Sequence, residues 1–79
     1  MTQTERVFSL RRGPSPREEE RQELLRELSR TRVLTNQAYS CFNQSSDQDL
    51  IESYVYEINA LQARYNYLLR RIKQLEAAR

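Results

Sequence analysis

The sequence contains no histidine, one glycine and one cysteine, and each shortage removes a class of chemistry. Without histidine there is no ordinary general base near neutral pH and no Ser-His or Cys-His pair for nucleophilic catalysis. The single glycine, Gly13, excludes a glycine-rich phosphate loop. One cysteine without histidine leaves no zinc site within one chain. We therefore expect a protein that is not an enzyme, with no cofactor, no metal and no small-molecule substrate.

The lone cysteine and the absence of long apolar runs indicate where in the cell the protein is located. Cys41 has no partner for an intrachain disulfide, which fits a reducing cytoplasm. We expect it to act as a small hydrophobe on an inward helix face, with a redox role or an intermolecular disulfide as the alternative. No apolar run approaches the ~18 residues of a membrane span. With 30% charged residues and few glycines or prolines, the composition favours a cytoplasmic all-α protein.

Positive charge is concentrated at the start of the chain. Residues 1–17 hold four arginines and one glutamate, whereas residues 18–79 hold nine basic and ten acidic residues. Residues 1–14 lack helical periodicity and end in Arg-Arg-Gly-Pro, which predicts a flexible basic tail. The alternative is a short docking segment built on Val7, Phe8 and Leu10.

A first helix is predicted over about residues 16–43. Ser15 is suited to the N-cap, Pro16 to the first helical position, and Glu18 to a capping box. The residues predicted to face inward are mostly small or weakly apolar in the middle of the helix, which makes this face thin. They are Leu24, Leu28, Thr31, Leu34, Thr35, Ala38, Cys41 and Phe42.

A second helix is predicted over about residues 48–78, after a turn at about 44–47 that contains no glycine. Ser46 and Asp47 are both candidates for its N-cap, and the sequence does not choose between them. Apolar or aromatic residues recur along it at alternating spacings of three and four, which indicates one continuous helical seam. The seam residues are Ile51, Tyr54, Ile58, Leu61, Tyr65, Leu68, Ile72 and Leu75.

Two long helices joined by a short turn predict an antiparallel helical hairpin over residues 15–79. This register brings the acidic residues at 18–20 close to the basic residues at 70–73. The thin first helix leaves part of the seam uncovered, and Leu50, Val55 and Leu69 widen the apolar band further. We therefore expect the hairpin to self-associate, for example as a dimeric four-helix bundle, or to dock on a protein partner.

A second stripe on the later helix is predicted to lie opposite the seam. Tyr56 and Tyr67 bracket Ala60 and Ala63, an arrangement that lets another helix approach closely. The alternative is an ordinary helix surface whose tyrosines are shielded by neighbouring arginines. Together with Val55 and Leu69, these four residues are the candidate partner interface.

The alternative function is a nucleic-acid accessory protein. Its candidate contacts are Arg11 and Arg12 in the tail and Arg70, Arg71 and Lys73 near the end of the second helix. Against it, residues 18–79 carry no net positive charge, and cations near a helix end also complement its dipole.

Several short motifs within about residues 24–75 together form a recognisable pattern. They are Asp49-Leu50-Ile51, Tyr56-Glu57, Ala60, the run Arg64–Arg70 and Lys73, preceded by Ala38 and Phe42 before the turn. In these motifs the chain resembles the YaaL-like family of small bacterial proteins of unknown function, although Gln48 stands where that family often has proline. The resemblance implies a small soluble helical protein from Gram-positive-type bacteria, without a known activity, cofactor or catalytic residue.

Overall fold

A computed structural model describes residues 15–78, which form an antiparallel hairpin of two helices. Helix α1 spans Pro16–Gln44 and helix α2 spans Gln48–Ala77. The predicted all-α helical hairpin is confirmed. The predicted basic tail, residues 1–14, lies outside the described residues.

Each helix begins at a side-chain cap. The Ser15 hydroxyl accepts a hydrogen bond from the Glu18 backbone N–H at 3.2 Å, and Pro16 follows at the first helical position, as predicted. At the second helix the Asp47 carboxylate accepts from the Leu50 N–H at 3.0 Å, so Asp47 rather than Ser46 is the N-cap. These two caps fix the helix starts, because each satisfies a backbone donor that has no partner inside the helix.

The two residues that flank the turn, Ser45 and Asp47, are both extended, so neither helix boundary requires a glycine. Ser45 ends α1 in an extended conformation, at φ −84° and ψ 144°. Its hydroxyl donates to the Cys41 carbonyl at 2.8 Å and its N–H donates to the Phe42 carbonyl at 3.3 Å. Ser45 therefore donates hydrogen bonds to two carbonyl groups near the end of α1. In a helix that ends with glycine, backbone N–H groups after the helix satisfy such carbonyls.

The core lies along the predicted seam. None of the eight seam residues is exposed, and four are buried: Ile58, Leu68, Ile72 and Leu75. Helix α1 contributes Ala38 and Thr31, of which Thr31 is only 1% exposed. The Thr31 hydroxyl donates to the Glu27 carbonyl at 2.7 Å, so this buried polar group has a partner within its own helix. Small α1 residues facing large α2 residues let the two helices approach closely.

Two residues predicted to face inward on α1 lie instead at the edge of the helix contact. Leu34 is 38% exposed and Cys41 is exposed. Buried contact is centred on Thr31 and Ala38, so residues three positions later lie on one flank, where α2 alone does not cover them. The prediction that Cys41 packs inward is therefore wrong.

Ion pairs join the helices at the open end of the hairpin. Arg71 donates to the Glu20 carboxylate at 2.9 and 3.2 Å, and Arg21 donates to Glu76 at 3.1 Å. The predicted proximity of acidic and basic residues at this end is thus confirmed for Glu20 and Arg71. All four side chains remain more than a third exposed, so each pair stabilises the hairpin by only about 0.2–1 kcal/mol.

Candidate interaction surfaces

The hairpin leaves more large apolar side chains exposed than it buries. Within residues 15–78 five hydrophobic residues are buried, whereas eight large ones are exposed. A surface normally carries scattered apolar residues, so their arrangement matters more than their number. The exposed set is Leu25, Val33, Leu34, Tyr39, Leu50, Val55, Tyr56 and Tyr67.

One broad side of the hairpin carries apolar residues on both helices, and we call it the Arg32 face. Arg32 on α1 and Gln62 on α2 line the same shallow depression between the helices. Seven residues make about two helical turns, so residues seven positions before and after each of these lie on the same side. All four such residues are apolar or aromatic. The Arg32 face consists of Leu25, Arg32, Tyr39, Val55, Gln62 and Leu69.

The opposite broad side, which we call the Glu27 face, is more highly charged. A groove of about 300 Å³ runs between the helices there. Covering it with another protein would remove several charges from water, which is costly unless each finds a partner. The Arg32 face carries one charged residue among its six and is therefore easier to cover. The Glu27 face is lined by Glu27, Arg30, Thr31, Leu34, Glu57, Ala60, Leu61 and Arg64.

The candidate interface predicted from the sequence divides between different sides of α2. Val55 is 40% exposed and Leu69 half-buried, and both belong to the Arg32 face. Ala60 lines the groove of the Glu27 face, and Ala63 and Tyr67 line a neighbouring depression with Leu24 and Leu68. Three members of the stripe of tyrosines and alanines thus lie on or beside the Glu27 face. Its role as a partner interface stays a prediction.

Tyr56 and Tyr67 differ in their surroundings. Tyr56 is 66% exposed, whereas the Arg70 guanidinium carbon lies 5.9 Å from the centroid of the Tyr67 ring. The predicted shielding of a tyrosine by arginine therefore occurs at Tyr67, at a distance suited to a cation–π contact.

The basic residues near the end of α2 do not act as one cluster. Arg71 is paired with Glu20 across the hairpin, whereas Arg70 and Lys73 border a shallow depression elsewhere on α2. Pairing with Glu20 reduces the positive potential that Arg71 offers to a phosphate. Arg11 and Arg12 lie outside the described residues, and nucleic-acid binding stays a prediction.

Helix α1 supplies two apolar residues of the Arg32 face that the sequence analysis did not select, Leu25 and Tyr39. Neither belongs to the seam-facing positions of the first helix. The signal that would have found them is their spacing of seven residues on either side of Arg32, which matches the spacing of Val55 and Leu69 about Gln62.

Cys41 lies beside Tyr54 at the turn end of the hairpin. Hydrogen bonding to the Cys41 side chain raises the pKa of the Tyr54 hydroxyl, and the charge that a Cys41 thiolate would carry acts in the same direction. A higher pKa keeps the tyrosine neutral well above physiological pH. Tyr54 is thus a neutral polar group at the rim of the seam.

Two kinds of feature are absent from residues 15–78, a cluster of metal ligands and a membrane-spanning helix. These residues contain no group of three or more histidine, cysteine, aspartate or glutamate side chains placed to hold a metal ion. Neither α1 nor α2 combines the length and apolar character needed to cross a membrane.

The fold and its surfaces define a small antiparallel helical hairpin. Residues 7–78 match the model of the family described as protein of unknown function (DUF2508), and the chain belongs to that family. The resemblance to an uncharacterised domain family is thereby confirmed at that level. No curated protein and no solved structure gives a significant match.

Proposed function

We propose that this protein is a non-enzymatic interaction module that works by covering its Arg32 face with another protein surface. The observation that carries the proposal is the placement of apolar residues on that face from both helices, with Val55 exposed and Leu69 half-buried. Covering such residues removes apolar area from water at about 25 cal/mol per Å², which favours association.

The small size of the hairpin supports the same proposal. A chain of this length buries a modest fraction of its surface, so its own core stabilises it marginally. Each helix touches one other helix, and the seam is covered from one side. A partner that covers the Arg32 face would complete the burial of seam residues that are now half-buried, such as Ile51 and Tyr65.

Capture experiments with a matched pair of variants test the proposal. The full chain, Val55→Gln and Val33→Gln are used as tagged baits in extracts of the native host, which also supply untagged copies of the chain. Both valines lie on exposed helix surface, so the change in helix propensity is the same. Val33 is two residues from buried Thr31, and hence about 200° round α1 from the core.

We expect Val33→Gln to capture the same proteins as the full chain, and Val55→Gln to lose them. Capture that is equal for all three baits would place the interface elsewhere, and the Tyr56–Tyr67 stripe would be the next surface to vary. Circular dichroism of each bait confirms that it remains helical.

The proposal also includes a narrower family group and a cellular location for the protein, and both rest on the sequence resemblance. The run Arg64–Arg70 supports membership of the YaaL-like group within the wider family, and with it a bacterial, cytoplasmic protein. Finding the endogenous protein in the soluble cytoplasmic fraction of its host, and not in the secreted fraction, checks the location.

A further inference from the structure

We propose that the surface covering the Arg32 face is the same face of a second copy of this chain, packed antiparallel to it. This inference rests on the proposed function and adds to it the identity and orientation of the partner. The resulting dimer is a four-helix bundle in which α1 lies against α1 of the partner copy and α2 against α2.

The spacing of apolar residues on the Arg32 face is the first support. Leu25 and Tyr39 stand equally far from Arg32 along α1, and Val55 and Leu69 stand equally far from Gln62 along α2. A two-fold axis through the centre of the face exchanges the two members of each pair. Val55 of one copy then meets Leu69 of the other twice, as a self-complementary interface requires.

Charge complementarity is the second support and favours the antiparallel orientation. Glu52, Asn59, Asn66 and Lys73 follow one another at seven-residue intervals along α2, beside the Arg32 face. Asn66 lines the central depression with Gln62, and Lys73 lies further along the same edge. The midpoint of this row falls within one residue of Gln62. The same axis therefore sets Glu52 against the partner copy's lysine and pairs the two asparagines.

The available area is sufficient for a stable dimer. A face two helices wide measures about 20 Å across, and helices of this length extend about 45 Å. The two copies together would bury roughly 1,700 Å², which lies within the ~1,200–2,000 Å² of specific protein interfaces.

Arg32 is the unfavourable element of this arrangement, and it provides a sensitive test. It is exposed at the centre of the face, so the axis brings the two copies of this arginine close together. Like charges at such a position weaken association. The substitution Arg32→Gln should therefore lower the dissociation constant of an antiparallel dimer by about 3- to 10-fold. A factor of ten corresponds to about 1.4 kcal/mol. In a parallel dimer Arg32 would face Gln62 instead, and the same change would not tighten it.

Disulfide trapping measures the orientation directly. In a Cys41→Ser background, a cysteine at position 62 lies on the two-fold axis and meets its own copy, within the ~3.5–4.5 Å between Cβ atoms that a disulfide needs. The single variants Gln62→Cys, Val55→Cys and Ala63→Cys are oxidised mildly at concentrations where the parent chain is dimeric. Gln62→Cys should form linked dimers about tenfold faster than the other two, because two copies of residue 55 would be ~20 Å apart. Ala63→Cys should also link slowly, because residue 63 follows Gln62 in the sequence but lies on another side of α2.

Sedimentation equilibrium of the purified chain completes the test and separates this inference from the proposed function. A dimer that Val55→Gln dissociates, with Val33→Gln unchanged and position 62 cross-linking fastest, supports the antiparallel pair. A dimer in which position 62 links no faster than position 63 overturns the orientation. A helical monomer throughout the micromolar range overturns the second copy as partner. In both cases the proposed function survives if Val55→Gln still loses captured proteins that Val33→Gln retains.

Discussion

The clearest stability prediction compares two leucines on α2 that differ in burial. Leu68 is 4% exposed within the seam, whereas Leu50 is 50% exposed near the start of the helix. Truncation of a buried leucine removes its transfer free energy and leaves a cavity, at a cost of about 2–5 kcal/mol. The thin first helix allows partial collapse into the space, so we expect Leu68→Ala to fall in the lower half of that range. Leu50→Ala should cost less than about 1 kcal/mol.

This loss is large for a protein of this size. Sixty-four described residues at about 0.05–0.15 kcal/mol each give a free energy of unfolding of about 3–10 kcal/mol. Leu68→Ala should therefore remove about a fifth or more of the total and lower the midpoint of urea unfolding accordingly. Both variants make the same Leu-to-Ala change within α2, so their difference in helix propensity largely cancels. Each is followed by circular dichroism at several protein concentrations, because dimerisation adds a concentration-dependent term. Equal losses for the two leucines would refute the assignment of the seam as the core.

Three further changes test the caps, the ion pairs and the buried hydroxyl. Asp47→Ala should destabilise the hairpin by about 0.5–2 kcal/mol through loss of the α2 cap, and Asp47→Ser should restore most of it in denaturant titrations. Glu20→Gln should cost no more than about 1 kcal/mol through the loss of its pair with Arg71, and a loss that persisted undiminished at 1 M salt would contradict an exposed ion pair. Thr31→Val should change stability by less than about 1 kcal/mol, since the shape is kept and the Glu27 carbonyl retains its helical N–H donor; a loss above 2 kcal/mol would show that the hydroxyl is essential.

The preference for the Arg32 face is a question of charge as well as of apolar area. Both broad faces of the hairpin expose apolar side chains, including Leu34 on one and Val55 on the other. The groove beside Leu34 is bordered by glutamates and arginines from both helices, which keep that face hydrated. The Arg32 face has uncharged polar groups around its one arginine, and these are compatible with a wet but specific interface.

The helices, the start of α1 and the seam could be predicted from the sequence because each depends on neighbours along the chain. The cap at Ser15 and the repeat from Ile51 to Leu75 are local patterns, and the structure places them as expected. Antiparallel packing followed from the short turn. The pairing of Glu20 with Arg71 at the open end of the hairpin followed from the resulting register.

Tertiary structure decided the finer rotation of α1 against α2. Successive residues differ by about 100° around a helix, so a stripe of small residues does not specify which flank the partner helix covers. The actual rotation leaves Cys41 exposed but Phe42 half-buried, and it brings Leu25 and Tyr39 onto the side shared with Val55. The sequence by itself therefore determined that a hairpin forms and which residues of α2 fill it. Only the packing of the two helices decided which apolar residues remain for a partner, because that depends on a rotation that local propensities do not encode.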